Sequence, residues 1–144
     1  MTTSETKVVL EVPKTDFAPA PGAKVSPAGK AVIYCGKGDK NGKTGYGYRH
    51  IKQRHWKDWE DVAAMQAPQR ITGVDLMDSV LRTTMEMPQV VTYRDGKFCA
   101  ATNFVLYDEV KGVPVKSIYP SVVINDKNKV ITMFPANNCD VKPV

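Results

Sequence analysis

Both histidines of the chain, His50 and His55, lie within GYGYRHIKQRHWKDW, residues 45 to 59, among Arg49, Lys52, Arg54 and Lys57. Imidazole titrates near neutrality, so one ring can take a proton while another gives one. Cleavage of RNA through its own 2′-hydroxyl asks for that pair: a base for the hydroxyl, an acid for the departing 5′-oxygen. Cations or hydroxyls must also hold the charged phosphorane. His50 and His55 are the candidate acid and base, and Arg49 or Arg54 the candidate cation. Such chemistry needs no metal and no cofactor, and the acids of the chain show no metal-site spacing. Cys35, Cys99 and Cys139 are the other nucleophiles, but no activating arrangement surrounds them in the sequence.

Geometry qualifies the pair. In an unbroken helix two residues five apart point about 140° away from each other. The rings therefore converge on one phosphate only if His50 belongs to the preceding loop or to the first turn. Otherwise His55 is a packed histidine on the stripe of Ile51 and Trp59, and His50 sits on a wet surface. Trp59 reads as core, whereas Trp56, Tyr46 and Tyr48 are candidates for stacking on bases.

The surrounding charge favours an anionic partner. Residues 37 to 57 contain seven basic residues (Lys37, Lys40, Lys43, Arg49, Lys52, Arg54, Lys57) against the single acid Asp39, although the whole chain carries only +5. The rest of the chain is thus slightly acidic, and the basic segment is the feature that nucleic acid would meet. Lys43, Lys52 and Lys57 are the candidate phosphate contacts. Solvated lysines without a partner are the alternative reading of the same run. GKGDKNGKTGYG lacks the spacing of a phosphate-binding loop.

The elements that must position these groups are legible in composition and period. With 144 residues, 42% of them hydrophobic, the chain suits one domain with a core. The proline- and alanine-rich residues 1–28 read as a linker or irregular arm, with a short strand at KVVLEV, and residues 29–144 as a single domain. AVIYC is a strand candidate. A helical period starts near Tyr48 or Ile51 and stops before Pro68. Residues 73–86 form a second helix behind a Thr72/Asp75 capping box. Beyond Pro88 the period becomes two. QVVTYR and KFCAATNFVLY flank an Asp95-Gly96 turn, VPVKSIYPSVVIN is a third strand region bent at Pro120, and KVITMFPA is a fourth. The expectation is an α+β domain with N-terminal helices packed on a roughly four-stranded antiparallel sheet. No apolar run reaches the roughly 18 residues of a membrane span, and the N-terminus lacks a secretory pattern. Three cysteines permit one disulfide, but free buried thiols are the simpler expectation.

GYGYRHIKQRHW, a second helix after it and a late strand carrying VITMFP resemble the metal-independent ribonucleases of the barnase/EndoU/colicin/RelE-like superfamily. The likeness is to the C-terminal toxin domains of bacterial contact-dependent growth-inhibition and polymorphic toxin proteins, and spans about residues 30 to 136. The resemblance implies a ribonuclease-toxin-like fold with His50 and His55 as the acid/base pair. Arg49 or Arg54 holds phosphate, and Thr132 stands where the family has a strand threonine or serine. The family's tyrosine two residues on falls on Phe134, which has no hydroxyl, so Tyr119 or Tyr107 would have to supply it. The resemblance further implies an endoribonuclease, with tRNA as a candidate substrate, producing a 2′,3′-cyclic phosphate. It would be secreted or surface-delivered, act in the target-cell cytoplasm, and be held by an acidic immunity protein. A target-cell accessory protein is a further partner, and stable membrane association is not expected. A non-catalytic RNA-binding module, or a structural or protein-interaction domain with a basic patch, are the alternatives.

Overall fold

Alternating hydrophobic residues after Pro88 build the main sheet of the fold. A computed structural model describes residues 5–38, 45–65, 72–108, 110–136 and 139. It is a mixed α+β structure in which all the sheets are antiparallel. Among the described residues the order is β1 (Val8–Lys14), β2 (Gly29–Tyr34), α1 (Gly47–Ala63), α2 (Gly73–Glu86), then six strands. These are β3 (Val90–Arg94), β4 (Lys97–Ala101), β5 (Phe104–Asp108), β6 (Val113–Ile118), β7 (Ser121–Asn125) and β8 (Val130–Phe134). Pro68, the expected stop after α1, lies outside the described residues.

The main sheet has the strand order β3-β4-β7-β8, and β1-β2 and β5-β6 form two-stranded sheets. The predicted Asp95-Gly96 turn joins β3 to β4, with both residues at positive φ, 53° and 77°. That geometry matches the twist of a tight hairpin. KFCAATNFVLY is divided: β4 ends at Ala101, and Phe104 starts β5 in another sheet. VPVKSIYPSVVIN divides likewise at Tyr119-Pro120, into β6 and β7. The β5-β6 hairpin is thus inserted between two strands that pair with each other, Ala100 opposite Val122.

One face of the main sheet carries Phe98, Ala100, Val122, Ile124, Val130 and Met133, all buried with Ile51, Trp59, Leu76, Met77, Val80, Leu81 and Met85 of the helices. The apolar stripe of α2 follows the helical period, and its capping box forms as expected. The Thr72 hydroxyl accepts from the Asp75 N–H at 3.2 Å, and the Thr72 N–H donates to the Asp75 carboxylate at 3.0 Å. β1 comes from the proline-rich N-terminal segment and pairs with β2, with Val12 in the same core. Lys14 closes this region: its ammonium donates to the carbonyls of Thr15, Ser26 and Pro27 and lies 3.9 Å from the centre of the Phe17 ring. Burial pushes that ammonium down to about 8. Three carbonyl acceptors and an aromatic face are nonetheless the surroundings of a charged group, so it is protonated at neutral pH.

Cysteine pairing departs from expectation. Cys99 on β4 is joined to Cys139, beyond the last strand, and Cys35 is the free thiol. A cysteine count carries no information about which pairs lie within reach.

Candidate active site at the helix–strand junction

The helix that carries both histidines is anchored at its start chiefly by backbone contacts. Gly36 and Gly47 adopt φ of +70° and +76°, and their chains approach so closely that a Cβ on Gly47 would stand 2.6 Å from the Tyr34 carbonyl. Lys37 and Tyr46 exchange both backbone hydrogen bonds at 2.9 Å, and the Arg49 N–H donates to the Cys35 carbonyl at 2.9 Å. One of the first-turn donors of α1 is thereby satisfied without a side-chain cap. The Arg49 guanidinium strengthens the same junction, donating to the Gly36 carbonyl at 3.2 Å.

The other anchor is Trp59. Its indole N–H donates to the Met133 carbonyl at 3.2 Å, deep in the core. β8 is an edge strand, and an edge strand leaves backbone groups without a ladder partner. Trp59 fills one such place and fixes the register of α1 against β8. One turn before Trp59 comes His55, and one residue after Met133 comes Phe134. Their rings meet at 5.0 Å between centroids, tilted by 35°.

His50 occupies the first turn of α1, and its ring lies 6.0 Å from that of His55, at 75°. Two groups on opposite-leaning radii of one helix therefore come together at the helix surface through their side-chain torsions. The two rings are in edge-to-face contact, so both imidazoles are presented side by side at one place on the helix surface. Burial, then the neighbouring His50, holds the His55 imidazole below its ordinary value of 6.5; Arg54 adds to the effect and Asp58 opposes it. The Asp58 carboxylate lies 3.8 Å from His55 Nδ1, with the His55 side chain 23% exposed. A half-buried imidazole whose burial favours the neutral form, with a carboxylate nearby, has the character of a general base.

On β8, Thr132 pairs with Val123 and Met133 with Val122. Met133 and Val122 are core, so Thr132 and Phe134 occupy the opposite side of the strand, with Ile131 at a bulge. The Thr132 hydroxyl is buried and has no hydrogen-bond partner among the described residues. Tyr119 packs elsewhere, beside Ala101 and Cys139. Tyr107 stands half exposed on the β5-β6 hairpin.

The remaining basic and aromatic candidates have separate places. Arg54 and Lys52 are exposed on α1, and Lys52 lies 6.0 Å from the Trp56 ring centre. Trp56 is half-buried, edge-on to Tyr48 at 6.1 Å. Tyr46 is covered by the Lys129 ammonium, 3.5 Å from its ring centre. Lys57 is paired to Asp61 at 2.9 Å one turn further on. Lys40 and Lys43 fall outside the described residues.

Sequence patterning gives little sign of a cavity of about 420 Å³ next to His55, bounded by Asp58, Asp61 and Val62 of α1 and by Phe134, Pro135 and Ala136. The run DWED after the last lysine of the basic segment is the feature that marks its carboxylates. A second cavity, about 250 Å³, opens over β3, β4 and β7 between Thr92, Arg94, Lys97 and Val123, and no histidine lines it. Among the described residues no three His, Cys, Asp or Glu side chains gather as a metal-holding group. Nor is any helix there long and apolar enough to cross a membrane.

Fold and site together define an α+β domain with a histidine pair at a helix–strand junction. Two uncharacterized proteins from strains of Mycobacterium tuberculosis, MT0764 and Rv0739, are each 30% identical to the chain over 111 residues, 76% of its length. The chain spans 38% of the length of these relatives. No family model and no solved structure matches it.

Proposed function

We propose that the protein is a metal-independent endoribonuclease of the toxin type, with helices set against a four-stranded ribonuclease-like sheet. The observation that carries this reading is the 6.0 Å approach of the only two histidines, at the basic end of α1. His55, neutral and half-buried, takes the 2′-hydroxyl proton. The 2′-oxygen attacks phosphorus and forms the 2′,3′-cyclic phosphate, while His50 protonates the 5′-oxygen as its bond to phosphorus breaks. Arg54, beside His55 on the exposed face, supplies positive charge to the nonbridging oxygens. Arg49 acts through the Gly36 contact, as a positioning residue for the helix start. Thr132, two residues from Phe134, is the strand hydroxyl that the family resemblance assigns to the site, and its hydroxyl is buried. Phe134, standing where the resembled family has tyrosine, supports His55 instead of donating a proton.

The wider reading is that of a delivered toxin, bound in the producing cell by an acidic immunity protein that covers the positive face of α1. The Cys99–Cys139 disulfide supports passage through an oxidising compartment, because such bonds form there and are rare in reducing cytoplasm. The test is incubation of the purified protein with total tRNA and ribosomal RNA. Wild type cleaves both or one of them; His50→Ala and His55→Ala each lower the rate by at least about 100-fold with an unchanged far-UV circular dichroism spectrum. Equal cleavage by all three proteins rejects the assignment, and salt-sensitive RNA binding without any product supports a binding module.

A further inference from the structure

The node in front of α1 draws in a segment remote from it in sequence. Cys35 and Gly36 donate their N–H groups to the carbonyls of Lys7 and Glu5, at 2.7 and 2.9 Å. The Gly36 carbonyl accepts the Arg49 guanidinium, and a Cβ on Gly36 would stand 2.1 Å from the Tyr46 carbonyl. Tyr46 is the N-cap residue of α1 and is gripped from two sides. Its phenol donates to the Glu5 carboxylate; burial, and then that carboxylate, push the phenol above its ordinary value of 10. The Lys129 ammonium, from the turn before β8, covers its ring.

The N-terminal segment is held unevenly. Glu5, Thr6 and Lys7 are exposed, whereas Val12 lies in the core and the Lys14 ammonium is bound by three carbonyls. Stretches with few buried apolar contacts open locally while the rest of a domain stays folded. The two histidines depend on this node differently. His50 is next to Arg49 in the first turn and moves with it, while His55 is held to the body by Phe134 and by Trp59 one turn on.

We propose that residues 5–7 are a latch on the histidine helix. Docked, they hold its first turn where His50 meets His55; released, they let that turn fray and part the rings without unfolding the domain. Glu5 is then a positioning residue, acting through Tyr46. The proposal rests on the ribonuclease reading only for its effect on cleavage.

The test compares Glu5→Lys and Glu5→Gln with wild type in the full chain. Lysine removes the acceptor of the phenol and sets a second cation beside Lys129, whereas glutamine keeps an acceptor. The rings of His50 and His55, 6.0 Å apart between centroids, give a nuclear Overhauser contact in wild type. In Glu5→Lys that contact is lost, and the His55 titration moves toward 6.5 as His50 withdraws. The Cys35 and Gly36 amides exchange about tenfold or more faster, while those of β4 and β7 are unchanged. Cleavage loses about tenfold or more in kcat, with KM within about threefold, as expected of lost positioning. Glu5→Gln stays within about twofold of wild type in each readout. Unchanged exchange at the two amides, rings still in contact, equally faster exchange in β4 and β7, or a Glu5→Gln as impaired as Glu5→Lys would overturn the proposal. Rings that part in Glu5→Lys, with no RNA cleaved even by wild type, remove the ribonuclease and leave the latch. Cleavage by wild type that Glu5→Lys does not alter, with the rings still in contact, removes the latch and leaves the ribonuclease.

Discussion

Replacing Trp59 by Phe isolates the contact that sets the histidine helix against its strand. The ring remains aromatic, but the indole N–H that donates to the Met133 carbonyl at 3.2 Å is lost. The carbonyl lies on a strand that, among the described residues, pairs in its sheet with β7 alone. A buried acceptor left without a donor costs about 1–3 kcal/mol. The smaller ring forfeits about 1 kcal/mol more of apolar burial. Trp59→Phe therefore destabilises by about 2–4 kcal/mol, which lowers the melting temperature by roughly 8–15 °C for a domain of this size. Chemical denaturation followed by circular dichroism measures it, with Trp56→Phe as the comparison. Trp56 is half-buried against Tyr48, and its loss costs about 1 kcal/mol or less. Because Trp59 sets the register that places His55 on Phe134, the proposed ribonuclease mechanism predicts that cleavage falls further in Trp59→Phe than in Trp56→Phe. Equal and small losses of stability in the two variants would refute the anchoring role.

Two further outcomes are expected of the site and its surroundings. The folded state holds the His55 pKa below 6.5, so the unfolded chain binds more protons there; the contribution of His55 to stability is complete above about pH 6.5 and is lost as pH falls through the lowered value. The stability difference between wild type and His55→Gln therefore shifts against the wild type as pH drops from 7.5 to 5, and a pH-independent difference would contradict the burial of that ring. Reducing the Cys99–Cys139 bond, whose ends are 40 residues apart in sequence, lowers stability by about 3–4 kcal/mol through the freed chain entropy; denaturation with and without dithiothreitol measures it, and coincident curves would show that the bridge constrains nothing.

Local signals carry the parts of the fold that they physically determine. The Thr72/Asp75 capping box, the stop at Pro88 and the Asp95-Gly96 turn depend on a few adjacent residues and are readable from them. Strand pairing is not of this kind. Alternation in KFCAATNFVLY says that the segment is extended, but nothing in it reveals that its second half leaves for a separate hairpin. The join of Cys99 to Cys139 is illegible for the same reason. In the site, the closeness of His50 and His55 in sequence marks them, while simple helix projection argues against their meeting. The rings approach because imidazoles on one helix can lean across its surface. Asp58 and Asp61 carry no such mark, since carboxylates beside lysines read as surface charge until the end of β8 supplies the opposite wall.

Two imidazoles sharing one phosphodiester is the heart of the proposed mechanism, and the products of cleavage test it most directly. Limit digestion of RNA in excess EDTA, with end-group analysis of the fragments, should give 2′,3′-cyclic phosphate and 5′-hydroxyl termini at the rate seen without EDTA. Products ending in 5′-phosphate, or cleavage abolished by EDTA, would contradict it.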